Sequence, residues 1–115
     1  MVNACQNRDG FANMAACSEG GAHAWGHNGI GSVMSDVYAS VGDPVFWLHH
    51  GFIDRNFRVW QNQKASRISS IDGNDINGRP ITLDTIIPMN GVRPNLRVRD
   101  LLNTFDTNLC YRYDY

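Results

Sequence analysis

The sequence predicts a mainly α-helical fold with a loop-rich C-terminal part and short β segments. The clearest helical pattern follows Asp43-Pro44, and a shorter helix is indicated by two histidines four residues apart at positions 23 and 27. After position 65 the pattern changes to Asp-Gly and Asn-Gly pairs, which are typical of turns. A chain of 115 residues forms one globular unit at most, so we expect a single domain over residues 1–115.

The composition argues against several classes of protein. The 10 Lys and Arg residues nearly balance the 11 Asp and Glu residues, which does not favour a nucleic acid as partner. No apolar run approaches the roughly 20 residues that span a bilayer, and residues 1–10 lack the basic start and apolar centre of a signal peptide. We therefore expect no membrane segment, while secreted and intracellular locations both stay open. The three cysteines allow one internal disulfide at most.

The N-terminal elements are weakly patterned. Residues 1–22 are small, polar and rich in glycine, and they predict a loop that leads into a short helix near Ala12–Cys17. The next helix contains the two histidines and should end in the glycine-rich stretch 28–32. Gly26 in its middle costs about 1 kcal/mol relative to alanine, so contacts from outside must hold this helix.

The strongest element begins at Asp43-Pro44, where Asp can cap the first turn and proline is tolerated at the first helical position. We expect this helix to run to about Gln63. Its apolar stripe has spacings of 4, 3, 4 and 3 and consists of Phe46, His50, Ile53, Phe57 and Trp60. A stripe with this many aromatic residues exposes an interface unless further helices cover it.

The C-terminal half is marked by turn signals. They are Asp72-Gly73, Asn77-Gly78 and Asn90-Gly91. A short extended run is expected near Pro80–Leu83, and a helical turn is expected near Val98–Leu102.

The histidines are the first functional signal, because all four lie between positions 23 and 50. On a helix His23 and His27 share one face about 5–6 Å apart, so both imidazoles can reach one metal ion. His50 lies within the apolar stripe and requires a partner, and a metal bound by neutral imidazole is one. The alternatives are a surface coincidence for the pair and a satisfied core histidine for His50.

The string DPVFWLHHGFIDR, from Asp43 to Arg55, identifies a family. It resembles the signature of the second copper region (CuB) of tyrosinases, catechol oxidases and haemocyanins, in which an upstream His-x-x-x-His pair is also expected. The resemblance is to a fungal-type tyrosinase or short polyphenol oxidase and is clearest from about Glu19 to Gln61. It implies half of the antiparallel four-helix-bundle core of type 3 copper proteins, with the CuB half at about 19–63 and a C-terminal loop region at 64–115.

By this resemblance His23, His27 and His50 bind one copper ion, and His49 is a neighbour that does not. A helix turns about 100° per residue, which also predicts that His49 points away from the stripe of His50. Three imidazoles bind zinc as well as copper, so the ligand set alone does not decide the metal.

Two further residues are expected to support the ligands. Phe46, one turn before His50, resembles an aromatic that packs over the copper site. Asp54, one turn after His50, can accept a ring N–H and fix a tautomer. The alternatives are ordinary core packing for Phe46 and an ion pair with Arg55 or Arg58 for Asp54.

The resemblance also implies catalytic groups. Glu19 holds the place of a glutamate that orients a water near copper. Many tyrosinases have Asn at the position of Ala24, and here Asn28, after the second histidine, is the substitute partner. Val33 and Met34 correspond to the rim of the substrate entrance. The alternatives are a surface acid for Glu19 and a plain connector for the loop that contains Val33 and Met34.

The family's chemistry requires two copper ions, and this sequence has no histidines left for the first site. The resemblance therefore implies one copper ion per chain, and two in a completed site that oxidises a phenolic or catecholic small molecule with O2. The partner would be the missing N-terminal copper half or another subunit. An oxygen carrier of haemocyanin type and an inactive metal-binding remnant are the alternatives. The closing Tyr111-Arg112-Tyr113 also resembles the Tyr-x-Tyr pattern that ends the catalytic domain.

Overall fold

The computed structural model describes residues 2–114, and Met1 and Tyr115, the two ends of the expected domain, lie outside the described residues. The described chain is mainly α-helical, as predicted. Its α-helices are α1 (Val2–Gln6), α2 (Phe11–Ser18), α3 (Ala24–Ile30) and α4 (Pro44–Asn62). A π-helical segment, Glu19–His23, joins α2 to α3.

Helix α4 begins and ends close to where the sequence predicts. The Asp43 carboxylate accepts a 2.9 Å hydrogen bond from the amide of Val45, and Pro44 is the first helical residue. Because the cap satisfies an amide that the helix cannot, it fixes the start of the element that contains His49 and His50.

The apolar stripe of α4 is covered by the chain itself. None of its five residues is exposed. Phe11 of α2 packs edge-on against Phe57 with ring centroids 5.8 Å apart, and the Arg67 guanidinium lies 4.6 Å from the ring centroid of Trp60. The expectation that this stripe forms an open interface is therefore wrong. The exposed apolar side chains of α4 lie elsewhere on its surface and are Val45, Trp47, Leu48 and Phe52.

Helices α1 and α2 are joined by a disulfide between Cys5 and Cys17, whose Cα atoms are 5.4 Å apart. Helix α2 confirms the short helix predicted near Ala12–Cys17, whereas α1 lies in a segment predicted as loop. A helix of five residues is too short to show an apolar period, so the sequence does not indicate it. Cys110 is the free, exposed thiol.

Arg67 fixes the N-terminal segment against the end of α4. Its buried guanidinium donates hydrogen bonds to the backbone carbonyls of Gln6, Arg8 and Trp60. The indole N–H of Trp60 donates to the Arg8 carbonyl at 2.8 Å. A buried cation without such partners is strongly unfavourable, so these bonds specify how α1 sits on α4.

The C-terminal half contains turns, 3₁₀ helices and one small sheet. Strands β1 (Ile86–Ile87) and β2 (Leu96–Arg97) pair antiparallel. A 3₁₀ helix at Val98–Leu101 confirms the predicted helical turn. The predicted extended run at Pro80–Leu83 is confirmed only at its start, where Pro80 forms an antiparallel β-bridge with Asn74, whereas the Thr82 amide bonds the Thr85 hydroxyl and closes a turn. Within residues 2–114, no helix is both long and apolar enough to cross a bilayer.

Candidate metal centre

All four histidines converge between α3 and α4. His23 ends the π-helical segment and His27 follows one turn later in α3, whereas His49 and His50 are adjacent in α4. Gly21 departs from helical geometry, with φ −104° and ψ −109°, so α3 does not continue the path of α2. The break separates the histidine-bearing helix from the disulfide-linked pair before it.

The end of α3 is set by glycine. Helix α3 ends at Ile30, and Gly31 adopts a φ of 70°, which favours glycine. The predicted end of this helix in the glycine-rich stretch is confirmed. The chain then turns through a 3₁₀ helix, Ser32–Ser35, which brings the carbonyl of Met34 back to the histidines.

His27 and His50 present ring nitrogens to each other. His27 Nδ1 donates a 2.7 Å hydrogen bond to the carbonyl oxygen of Met34, so Nε2 carries the lone pair of the neutral ring. That Nε2 lies 3.3 Å from Nε2 of His50. Two imidazoles bound to one ion at about 2.0–2.1 Å reach about this separation when their bonds make an angle of about 105–110°. The pair therefore has the spacing of two ligands of one metal ion.

His23 faces the same pair. Its ring centroid lies 4.7 Å from that of His27 and 5.0 Å from that of His50. Glu19 Oε2 lies 3.0 Å from Nδ1 of His23, which is ion-pair distance but outside hydrogen-bond angles. The Glu19 carboxylate thus lies beside Nδ1 of His23 but does not fix the tautomer of this ring by a hydrogen bond.

His49 also lies in the cluster, and the expectation that it points away is wrong. Its ring is 4.9 Å from that of His27 and stacks on that of His23 at 5.6 Å, with 13° between the planes. Its Nε2 donates to the backbone carbonyl of His23 at 3.0 Å. The 100° rule places Cβ but not a ring that reaches sideways to the next helix. Ring nitrogens of His23, His27 and His49 lie within 4.8 Å of one another, so this set could also hold a metal ion.

The surroundings of His50 favour its neutral form. Burial lowers the pKa of His50, positive charge on its three histidine neighbours lowers it further, and Glu19 acts in the opposite direction. Phe46 stacks on the ring, with centroids 4.1 Å apart and 28° between the planes. Since neutral imidazole is the form that binds metals, the site disfavours the competing proton.

Asp54 is bonded to tyrosines rather than to His50. Its Oδ2 accepts hydrogen bonds from the hydroxyls of Tyr111 and Tyr113, and Arg58 Nε lies 3.6 Å from its Oδ1. Burial is the main cause that raises the pKa of both tyrosines, and the hydrogen bond to Asp54 raises it further. The predicted bond from His50 is not found among residues 2–114, whereas the alternative ion pair with Arg58 is. Asp54 thus ties the C-terminal segment to α4.

Two partners of this site were not predicted from the sequence. The Tyr-x-Tyr pattern was visible, but Tyr111 and Asp54 are 57 residues apart and nothing local connects them. The Met34 carbonyl is a backbone group, which has no sequence signal at all. Only the fold brings both to the histidine-bearing helices.

A cavity of about 360 Å³ lies beside the cluster. Glu19 and Asn28 both line it, as does Met34, which is 1% exposed. Val33 does not line this cavity and is 45% exposed on the surface. The structure therefore brings three of the four predicted catalytic and entrance residues to one cavity. A larger cavity of about 790 Å³ lies under the C-terminal loops, and no histidine lines it.

Comparison with known proteins gives the family. Residues 1–63 match the common central domain of tyrosinase. The chain belongs to the tyrosinase family. The matched segment is more than half of the chain and contains all four histidines, so the cluster lies in the part that defines this family of copper oxidoreductases.

Fungal relatives agree with the tyrosinase match. The chain is 32% identical over 105 residues to N-acetyl-6-hydroxytryptophan oxidase of Emericella nidulans, covering 82% of this chain and 29% of that protein. It is 31% identical over 99 residues to Tyrosinase P of Aspergillus terreus, covering 81% and 28%. An oxidase of Aspergillus hancockii is 33% identical over 99 residues, covering 81% and 35%. The chain spans about a third of the length of these relatives. No solved structure matches it.

The donor set fits the copper of the tyrosinase family. Imidazole nitrogens suit copper in proteins, and in His27 the Met34 carbonyl fixes the tautomer that exposes Nε2. Nε2 of His27 and Nε2 of His50 are spaced for one ion. The residues present therefore form a site that one metal ion can occupy.

Proposed function

We propose that this chain supplies the second copper site of an enzyme that oxidises phenols or o-diphenols to o-quinones with O2. The ligands of the proposed site are His23, His27 and His50. The observation that carries this proposal is the 3.3 Å separation of the two Nε2 atoms of His27 and His50, with the His27 proton held at Nδ1 by a carbonyl.

His50 is preferred to His49 as the third ligand because of the bonds that each ring already makes. Nε2 of His49 donates to the His23 carbonyl, so a metal at that nitrogen would have to break a bond to the backbone. Nε2 of His50 faces Nε2 of His27. His50 is also the histidine whose pKa is lowered, so a proton competes less with the metal there.

The chemistry that copper would supply is one-electron redox. Around it, we assign substrate binding to the cavity of about 360 Å³, which is within the usual range for small-molecule sites. The Glu19 carboxylate is assigned to accept a proton from the phenolic hydroxyl or from a water, and the Asn28 amide is assigned to orient that group. The name of the Emericella relative specifies a hydroxylated aromatic substrate, which this arrangement would suit.

Electron counting requires a second metal. Oxidation of a catechol to a quinone releases two electrons, and one copper ion accepts one of them. The described histidines form a single cluster, so the other copper site must come from another polypeptide or segment. We propose that this partner is helical and carries three further histidines.

Exposed apolar side chains support a partner of this kind. On the two histidine-bearing helices they are Trp25, Ile30, Val45, Trp47, Leu48 and Phe52. Large apolar side chains that are exposed on neighbouring helices commonly mark a protein interface. Packing of a second helix pair against α3 and α4 would bury them and complete a four-helix bundle.

Oxygen uptake with catechol tests the proposal. The copper-loaded chain is measured alone and after mixing with the N-terminal part of the Emericella relative, with copper content and oligomeric state determined on the same samples. We expect turnover only in the mixture. The His50→Ala variant is the control for the ligand set and should abolish turnover in the mixture. Robust turnover by a monomeric chain carrying one copper ion would overturn the proposal in favour of a self-contained mononuclear oxidase, and copper binding with no turnover in the mixture would indicate an inactive remnant.

A further inference from the structure

Gly26 of α3 lies directly on the ring of His49. A Cβ added at Gly26 would be 2.2 Å from Cε1 of His49, 2.6 Å from Nδ1 and 2.7 Å from Nε2. No side chain other than hydrogen fits at this position while the ring stays in place. The glycine that weakens α3 as an isolated helix is therefore the one that lets α4 approach it.

The same ring also bonds to the backbone of the neighbouring segment. Nε2 of His49 donates to the carbonyl of His23, at the junction where the π-helical segment becomes α3. The ring stacks on the imidazole of His23 and meets that of His27 edge-on. His49 thus contacts three residues of the neighbouring segment: His23, just before α3, and Gly26 and His27 within it.

We infer that His49 is a positioning residue. It locks α3 against α4 through Gly26 and the His23 carbonyl, so that His23 and His27 face His50, and it makes no bond to the metal. This inference rests on the three-histidine site of the proposed function and adds to it a residue pair that sets the site's geometry.

The atoms nearest to Gly26 show how the ring of His49 packs on α3. They are Cε1 and the two ring nitrogens, at 2.2–2.7 Å from the added Cβ, so the face of the His49 ring at Cε1 lies against the backbone of α3. Nε2 of His49 is already bonded to the His23 carbonyl, so a metal at that nitrogen would have to break the contact between His49 and the start of α3. The set His23, His27 and His49 is close enough to hold an ion, and zinc affinity of His49→Ala decides whether His49 is one of the ligands.

Gly26→Ala tests the lock, and Gly29→Ala is the matched control. Both glycines lie in α3, and a Cβ at Gly29 meets nothing within 4 Å. Two quantities are measured on each purified chain: amide hydrogen exchange of residues 24–30 without metal, and zinc affinity by competition with a chromophoric chelator. For Gly26→Ala we expect faster exchange and zinc binding weakened roughly 10–100-fold, the range for partners that orient metal ligands. For Gly29→Ala we expect neither change.

His49→Ala and the double variant Gly26→Ala/His49→Ala complete the test and keep it decisive if Gly26→Ala does not fold. His49→Ala should speed exchange in residues 24–30 of the metal-free chain while keeping the metal at reduced affinity. The double variant should be no worse than His49→Ala, because the added methyl then has no ring to strike. The inference is overturned if Gly26→Ala behaves like Gly29→Ala, or if His49→Ala loses zinc as fully as His50→Ala with exchange unchanged. Neither measurement requires turnover, so failure of the proposed oxidase leaves this result interpretable.

Discussion

Nε2 of His27 and Nε2 of His50 lie 3.3 Å apart although 23 residues separate them in the chain. The Met34 carbonyl holds the proton of neutral His27 at Nδ1, so Nε2 of His27 accepts. Without a metal, Nε2 of His50 must donate to it. A metal ion that binds between the two rings replaces this proton, and the hydrogen bond of the metal-free protein is thus a template for the metal site.

Single histidine variants should separate ligands from neighbours. We expect His27→Ala and His50→Ala to lower copper affinity by more than the roughly 10–100-fold that loss of an orienting partner costs, because each removes a bond to the ion. His49→Ala should retain about one copper ion per chain at reduced affinity. Metal analysis after dialysis against a weak chelator checks this. Full loss in His49→Ala with retention in His50→Ala would reverse the assignment.

The stability of the metal-free protein should depend on pH through His50. Its pKa is lowered in the folded chain, whereas the unfolded chain takes up the proton near the usual value of about 6.5. Between the folded pKa and about 6.5 the unfolded state binds more protons, so the free energy of unfolding falls as pH decreases through this range. Above about 6.5 the contribution of neutral His50 to stability is fully present. Urea unfolding at several pH values measures this. The His50→Gln variant should show a shallower dependence, and an equal slope in both proteins would contradict the assignment.

Local sequence rules predicted the elements whose causes are local. The Asp43 cap, Pro44 and the 3.6-residue period together specify α4, and each acts within one or two turns. The position of His49 was mispredicted because it depends on how closely α3 approaches α4, and that distance is set by a missing Cβ at Gly26. The partners of Asp54 were missed because a pairing across 57 residues leaves no local trace. Cysteine count limited the chain to one disulfide, but the pairing itself required the fold.

The Cys5–Cys17 disulfide should stabilise the N-terminal segment substantially. The two cysteines are 12 residues apart, and closing a loop of this size contributes about 3 kcal/mol in the chain-entropy model. The Cys5→Ser/Cys17→Ser variant should therefore unfold at clearly lower denaturant concentration. Cys110→Ser is the control, because that thiol is free and exposed, and it should unfold like the parent chain. Equal midpoints for all three proteins would show that the disulfide adds no stability.

Removal of the metal should loosen α3 before the rest of the molecule. Residues 20–32 contain the break at Gly21 and several glycines, so they have little helical propensity of their own. Binding to two histidines of this segment and one of α4 would hold it in place. Hydrogen exchange with and without copper should show the largest change in residues 20–32 and a small change in the second half of α4. Unchanged exchange in residues 20–32 would show that the metal does not hold this segment.

A charge placed on the exposed face of α4 should block docking of the proposed partner without disturbing the chain itself. Leu48 is 75% exposed and makes little contribution to the core, so Leu48→Glu should fold and bind copper like the parent. At an interface the same carboxylate would be buried without a counter-charge, at a cost of several kcal/mol. We therefore expect the dissociation constant for the N-terminal copper half to rise at least tenfold. Oxygen uptake should fall to match when the partner is limiting. Ile76→Glu is the matched control, because Ile76 is fully exposed and lies far along the chain from α3 and α4. If both variants bind the partner equally well, the N-terminal copper half does not dock on this face of α4.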